Sequence, residues 1–263
     1  MKTILKQIAA VCAGIMIAGC GGGGGDDIER ATIDDSNYLD AAKAMATVNE
    51  HLIGTMEVLG FIIGVIGDGI CESGTITHSD NIYTFDRCIR EGGIIDGTLD
   101  YSYTADILDV SHMELTVSAT DGSAELLYTD SHYRITFEEG SDDGMAKIDI
   151  SRSGYYKQDG SVTIVYLGYR TNYDQSSATD TYENYNGSFI LSAFSDQAVR
   201  VQTEDNVLYR SGDDCPSDGT ISIIGEDSSL VLDIQNDFSI DLILNGEDKP
   251  SLADCDAIGE YPL

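Results

Sequence analysis

The chain has 263 residues, with 46 acidic side chains against 14 basic ones and a formal charge of −32 at pH 7. A surface that negative repels phosphate backbones and anionic headgroups, which excludes nucleic acid as a partner and a domain lying flat on a bilayer. The 42% hydrophobic content is ordinary for a folded protein, so a disordered body is excluded as well.

Met1 to Lys6 is a short basic stretch, and Ile8 to Ile17 is an apolar run broken only by Gly14. A membrane-spanning helix needs about 20 apolar residues, so this segment reads as a secretory signal over residues 1–19. It ends in Ile17-Ala18-Gly19-Cys20. That string resembles the lipobox of bacterial lipoproteins, in which the cysteine becomes lipidated and N-terminal. The resemblance covers the first twenty residues. It implies diacylglycerol on the Cys20 thiol and an acyl chain such as palmitate on its amino group. Several acyl chains give a stable anchor, since each buried CH₂ contributes about 0.8 kcal/mol and one chain alone is marginal. In such lipoproteins an aspartate after the cysteine favours inner-membrane retention. Gly21 stands there, so the resemblance implies the outer membrane of a bacterial envelope.

Removal of Lys2 and Lys6 leaves 12 Lys and Arg against 46 Asp and Glu, a formal charge of −34. Gly21 to Gly25 lose too much entropy on ordering to hold a fold. With the acidic residues that follow they form a tether over 20–35, with an r.m.s. reach on the order of 20 Å. One domain is expected over 36–263.

Asp35-Ser36-Asn37 supplies a helix N-cap before Tyr38. Ala42, Met45, Val48, Leu52, Met56, Leu59 and Ile63 follow at helical spacing. Residues 52–66 are apolar nearly all round, which predicts burial on every side. Gly60 and Gly64 predict close packing of this helix on a sheet. A shorter helix ending near Gly60, followed by a strand, fits the same residues.

Cys12 leaves with the signal and Cys20 carries lipid. Cys71, Cys88, Cys215 and Cys255 remain, an even set that predicts two disulfides in an oxidising compartment. Residues 71–88 read CESGTITHSDNIYTFDRC. A two-residue turn at Ser79-Asp80 pairs His78 with Asn81, Ile76 with Tyr83 and Gly74 with Phe85, and sets Cys71 opposite Cys88. Opposed residues in a hairpin lie close to disulfide geometry. The turn lacks the favoured Asn-Gly chemistry, so a longer loop also fits. Cys215 then pairs with Cys255 by exclusion. Cys71-Glu72-Ser73-Gly74-Thr75-Ile76 is echoed by Cys215-Pro216-Ser217-Asp218-Gly219-Thr220-Ile221. The echo reads either as an old duplication or as a common way to start a strand. These pieces resemble those of uncharacterised envelope lipoproteins, a resemblance that implies no activity.

Alternating apolar and polar residues predict strands around 98–103, 113–117, 133–137, 146–150, 161–169, 187–194, 198–203, 219–224, 229–234 and 238–244. Turn pairs separate them at Asp121-Gly122, Asp143-Gly144, Asp159-Gly160 and Asn245-Gly246. Residues 171–187 are polar and read as a long loop. The fold class is mainly β: a large curved antiparallel meander, an open barrel or a sandwich, with one N-terminal helix packed against it. In outline it resembles the half-barrel carriers of lipoprotein-sorting pathways.

His51, His78, His112 and His132 are scattered, and no His-Glu-x-x-His, Gly-x-Ser-x-Gly or phosphate-loop motif occurs. No catalytic residue and no cofactor is assigned. Ser141-Asp142-Asp143-Gly144, Asp213-Asp214 and the Asp174–Asp180 stretch offer oxygens to Ca²⁺, but turn chemistry explains them equally. Tyr155, Tyr156, Tyr166, Tyr169, Tyr173, Tyr182 and Tyr185 cluster mid-chain, as a glycan or protein contact or as ordinary strand formers. The expected function is a non-enzymatic structural or interaction role in the envelope, with a protein partner. The alternative is a carrier of an apolar ligand, and an enzyme ranks third.

Overall fold

The computed structural model describes residues 29–104, 106–121, 125–137, 146–157, 163–174, 180–191, 194, 197–210, 215–255 and 257. Among the described residues one helix, α1 (Tyr38–Asp68), precedes thirteen strands. They are β1 (Ser73–Ser79), β2 (Ile82–Arg90), β3 (Gly93–Tyr103), β4 (Ile107–Ala119), β5 (Glu125–Phe137), β6 (Ala146–Lys157) and β7 (Thr163–Asp174), then β8 (Asp180–Leu191), β9 (Ala198–Arg210), β10 (Asp218–Ile224), β11 (Ser229–Ile234), β12 (Ile240–Leu244) and β13 (Glu247–Leu252). Every strand pairs antiparallel with its neighbours in sequence, in one sheet ordered β1 to β13. The sheet is an open meander, with β1 and β13 as its edges.

Alternation sets its two faces. In β11 Leu230, Leu232 and Ile234 are buried between half-exposed neighbours, and Ile240, Leu242 and Leu244 repeat the pattern in β12. The buried residues from Phe85 in β2 to Leu244 in β12 join Ala41, Ala42, Met45, Met56, Leu59, Ile62 and Val65 of α1 in one apolar cluster. A single apolar cluster that joins the helix to strands this far apart fits a sheet that curls. Sheet twist supplies that curl, and bulges deepen it.

α1 has 31 residues and runs unbroken through Gly60, so the helix-then-strand alternative does not occur. At about 1.5 Å per residue it is about 46 Å long. Asn37 occupies the N-cap position but turns back: its Oδ1 accepts from the Asp34 N–H at 2.8 Å, and its Nδ2 donates to the Thr32 carbonyl. Asp34 Oδ1 accepts from both the hydroxyl and the N–H of Ser36, which lowers the Asp34 pKa. Gly69 ends the helix in the left-handed region, its N–H donating to the Val65 carbonyl. Arg90 in β2 reaches Asp68 at 2.5 Å and ties this end to the sheet.

All-round burial of 52–66 does not hold. Glu57 is exposed, and Val58, Phe61 and Ile66 are half-buried, because the helix closes only one side of the curl. The close approach expected at Gly64 is also absent: a Cβ there meets nothing within 4 Å. The close approach falls on Gly93 of β3, where a Cβ would come within 2.9 Å of the Phe61 ring.

Residues 29–35, read as tether, are held against the domain. Arg30 forms a parallel bridge with Ala198, and Ala31 donates to the Ala198 carbonyl at 2.9 Å. The Glu226 N–H donates to the Ala31 carbonyl, and the Ile33 N–H to Ser228 Oγ. Ala31 and Ile33 are buried. The segment therefore seals the rim where β9 begins and the 224–229 turn lies.

One other expectation is corrected, and one strand falls where none was expected. Residues 171–187 are not one loop, since β7 continues to Asp174 and β8 starts at Asp180. The final strand, β13, falls on the charged segment EDKPSL, which carries no apolar alternation.

Candidate functional site

The β1–β2 hairpin turns at Asp80-Asn81, one residue later than the sequence reading. Ser79 pairs with Ile82, Thr77 with Thr84, and Ile76 with Phe85 instead of Tyr83. Asp80 takes φ +53°. Aspartate tolerates this left-handed turn conformation better than serine, which moves the turn onto it. Near the cysteines the ladder slips between Ser73 and Thr75. Cys71 and Cys88 are nonetheless bonded, with Cα atoms 5.3 Å apart, and Cys215 and Cys255 with Cα atoms 5.7 Å apart. Cys71 reaches its partner from the loop ahead of β1, not across the ladder.

The two echoed cysteine segments share a local geometry. Gly74 and Gly219 have φ of +78° and +124° and sit at register shifts, in β1–β2 and β9–β10. A Cβ at Gly74 would strike the Arg87 carbonyl, and one at Gly219 would lie 2.7 Å from Val207 Cα. In both places the Gly-Thr-Ile start is a bulge in which the neighbouring backbone leaves no room for a side chain.

Among the described residues the one buried carboxyl is that of Glu183 in β8. It pairs with Tyr173 of β7 on one side and Val207 of β9 on the other. It is fully buried, and among the described residues neither oxygen meets a donor. Burial pushes its pKa well above the ordinary value. Burial therefore disfavours its ionised form. Register places it near the rim where β10 begins after Cys215, opposite the rim sealed by residues 29–33. The polar surroundings of Glu183 in the sequence, ThrTyrGluAsnTyrAsn, mask this burial; only the strict inward register of β8 exposes it.

The other candidates disperse. Cys20, the Ser141–Gly144 cluster and Asp213-Asp214 lie outside the described residues, as does the stretch between Asp174 and Asp180. The tyrosines spread over β6, β7 and β8, and Tyr182 is half-buried. His78 is exposed and stacks on Tyr83, whose ring meets Tyr101 edge-on. His132 Nε2 lies 3.3 Å from Asp109 Oδ1. Among the described residues no three His, Cys, Asp or Glu side chains converge as a metal site, and no helix is long and apolar enough to cross a membrane.

On the outer face Asp233 of β11 and Asp241 of β12 stand directly opposite each other. Gln235 Nε2 donates to Asp233 Oδ2 at 3.0 Å and to Asp241 Oδ2 at 3.3 Å. Thr220 and Ser251 donate to the remaining oxygens. The acids are thus held by neutral donors in a structural network. Compared with known protein families, curated proteins and solved structures, the chain matches none.

Proposed function

We propose that the chain is a lipid-anchored protein of the bacterial outer membrane with a non-enzymatic structural or interaction role. The observation that carries this reading is the occupied concave face. Met56, Leu59, Ile62 and Val65 of α1 share one apolar cluster with inward residues of β2 to β6 and β8 to β12. The space in which a carrier would hold its ligand is taken by the protein's own helix. The pinned segment 29–33 supports a fixed orientation, because a chain lipidated at Cys20 would reach the fold at that rim. The opposite rim then faces away from the bilayer.

Glu183 favours a second reading, a carrier whose apolar ligand places a polar group against this acid. Native mass spectrometry of the full-length chain in mild detergent separates the two. The first reading expects the lipidated protein alone. A further retained lipid-sized mass, lost in Glu183→Leu, would overturn it in favour of the carrier. Membrane fractionation tests the anchor: Cys20→Ser is expected to release the protein, and a variant still sedimenting with membranes would sink the lipobox reading.

A further inference from the structure

The two edges of the sheet are treated differently by the sequence. β13 carries four features that discourage strand addition: Glu247, Asp248, Lys249 and Pro250. Lys249 is further held by Asp35 at 2.7 Å, from the segment ahead of α1. β1 has none of them. Its sequence is SGTITHS, and among the thirteen named strands it alone lacks Asp, Glu, Lys and Arg. In a chain of formal charge −32 that is a conspicuous gap in the charge. Except for half-buried Ile76, every residue of β1 is exposed.

The bulge at Gly74 bends only the start of β1, so Thr75 to Ser79 remain in straight register with Asp86 to Ile82. In a hairpin closed by a two-residue turn, the flanking pair Ser79–Ile82 exchanges both backbone bonds, and so does every second pair beyond it. The N–H and C=O groups of Ile76 and His78 therefore point away from β2 and meet no partner among the described residues. These five residues are self-complementary about Thr77. Run antiparallel against themselves, they bring Thr77 opposite Thr77, Ile76 opposite His78 and Thr75 opposite Ser79. Threonine pairs are favourable across antiparallel strands, and no like charges meet.

We propose that β1 is a docking edge for a second copy of this chain, joined antiparallel about a two-fold axis at Thr77. Ile76 and His78 exchange backbone hydrogen bonds across the axis, and the two sheets become continuous. The contact is isologous, so it closes at a dimer. Five paired residues a side make a small interface, so the dimer is transient and concentration-dependent.

The test traps it. In the full-length protein Thr77→Cys places two thiols across the axis in a non-hydrogen-bonded pair, where Cα atoms are about 4.5 Å apart and a disulfide fits. Under mild oxidation the Thr77→Cys chain is expected to form a linked dimer at least ten-fold faster than Thr75→Cys or Ser79→Cys alone. Mixing Thr75→Cys and Ser79→Cys proteins should yield the mixed dimer. Peptide mapping checks that Cys71–Cys88 and Cys215–Cys255 stay intact. Sedimentation of the wild type should be concentration-dependent, and Thr77→Lys, which sets two like charges across the axis, should abolish that while leaving the circular dichroism spectrum unchanged. Equal linking rates at 75, 77 and 79 would overturn the proposal. So would a wild type sedimenting as a monomer at every concentration, or a Thr77→Cys chain that links only to another protein.

Discussion

Glu183 stands directly across from Val207, a carboxyl against a hydrocarbon, with both side chains fully buried between strands. Such a placement costs stability unless the acid stays protonated. Its folded pKa lies above the ordinary 4.5, so the folded state holds the proton more tightly than the unfolded one. The penalty is therefore absent below about pH 4.5 and grows as pH rises through the folded value. Urea midpoints for wild type and Glu183→Gln are expected to converge at pH 4 and to diverge at pH 8, with the variant more stable there. Glu183→Leu should gain about 1–3 kcal/mol at neutral pH, the scale of an unsatisfied buried group. The remaining acids destabilise both proteins alike, so parallel pH profiles would show that Glu183 is not the cause.

The bulge glycines give a contrast within one sheet. Gly219→Ala sets a Cβ 2.7 Å from Val207 Cα at φ +124°, and backbone must move to admit it. Gly246, in the β12–β13 turn, has φ +84° and open space around it. Gly219→Ala is expected to lose more than about 3 kcal/mol, and Gly246→Ala about 1 kcal/mol for the conformation alone. Chemical denaturation of the two variants checks the ranking. Equal losses would mean that the β9–β10 bulge relaxes freely.

Legibility followed the physics of each segment. β11 and β12 could be read directly, because one buried face imposes strict alternation on SLVLDI and IDLIL. The Asn245-Gly246 turn was legible too, both residues adopting the positive φ that its chemistry allows. β13 was not legible, because an edge strand needs only backbone pairing on one side, and EDKPSL serves to guard that edge. The ends of β7 and β8, read as a loop over 171–187, form strands although TNYD and DTYENYN are polar: their ladder comes from neighbours on both sides, not from local pattern. The hairpin turn lies one residue later than the sequence reading, which moves every partner by two, and the signal for it was the Asp80-Asn81 pair. Glu183 did not stand out as a site because acids fill this sequence and only the three-dimensional register singles one out.

Each disulfide closes a different loop. Cys71–Cys88 spans 17 residues and Cys215–Cys255 spans 40. If the effect is on unfolded-chain entropy, losing the first costs about 3 kcal/mol and losing the second about 4 kcal/mol. The double variants Cys71→Ser/Cys88→Ser and Cys215→Ser/Cys255→Ser test this by urea midpoint. The non-reduced chain should also weigh four hydrogens less than the reduced one. The smaller loop giving the larger loss would point to the tie between the end of α1 and β2, made beside the Arg90–Asp68 ion pair, as the greater contribution.

Asp233 and Asp241 face each other across two strands, and like charges so paired repel. The Gln235 amide bridges them, which makes it the residue on which the pair depends. Gln235→Leu removes both donations and leaves the repulsion, so a loss of about 1–2 kcal/mol is expected. Asp241→Asn removes one charge and should gain up to about 0.5 kcal/mol at low salt. Screening shortens the reach of the repulsion, to about 3 Å at 1 M salt. Raising NaCl from about 10 mM to about 1 M is therefore expected to shrink the gain of Asp241→Asn and to recover part of the loss in Gln235→Leu. Thermal midpoints of the three proteins at both salt concentrations decide it. If Gln235→Leu loses the same amount at each, the amide acts through packing and not by holding the two carboxylates together.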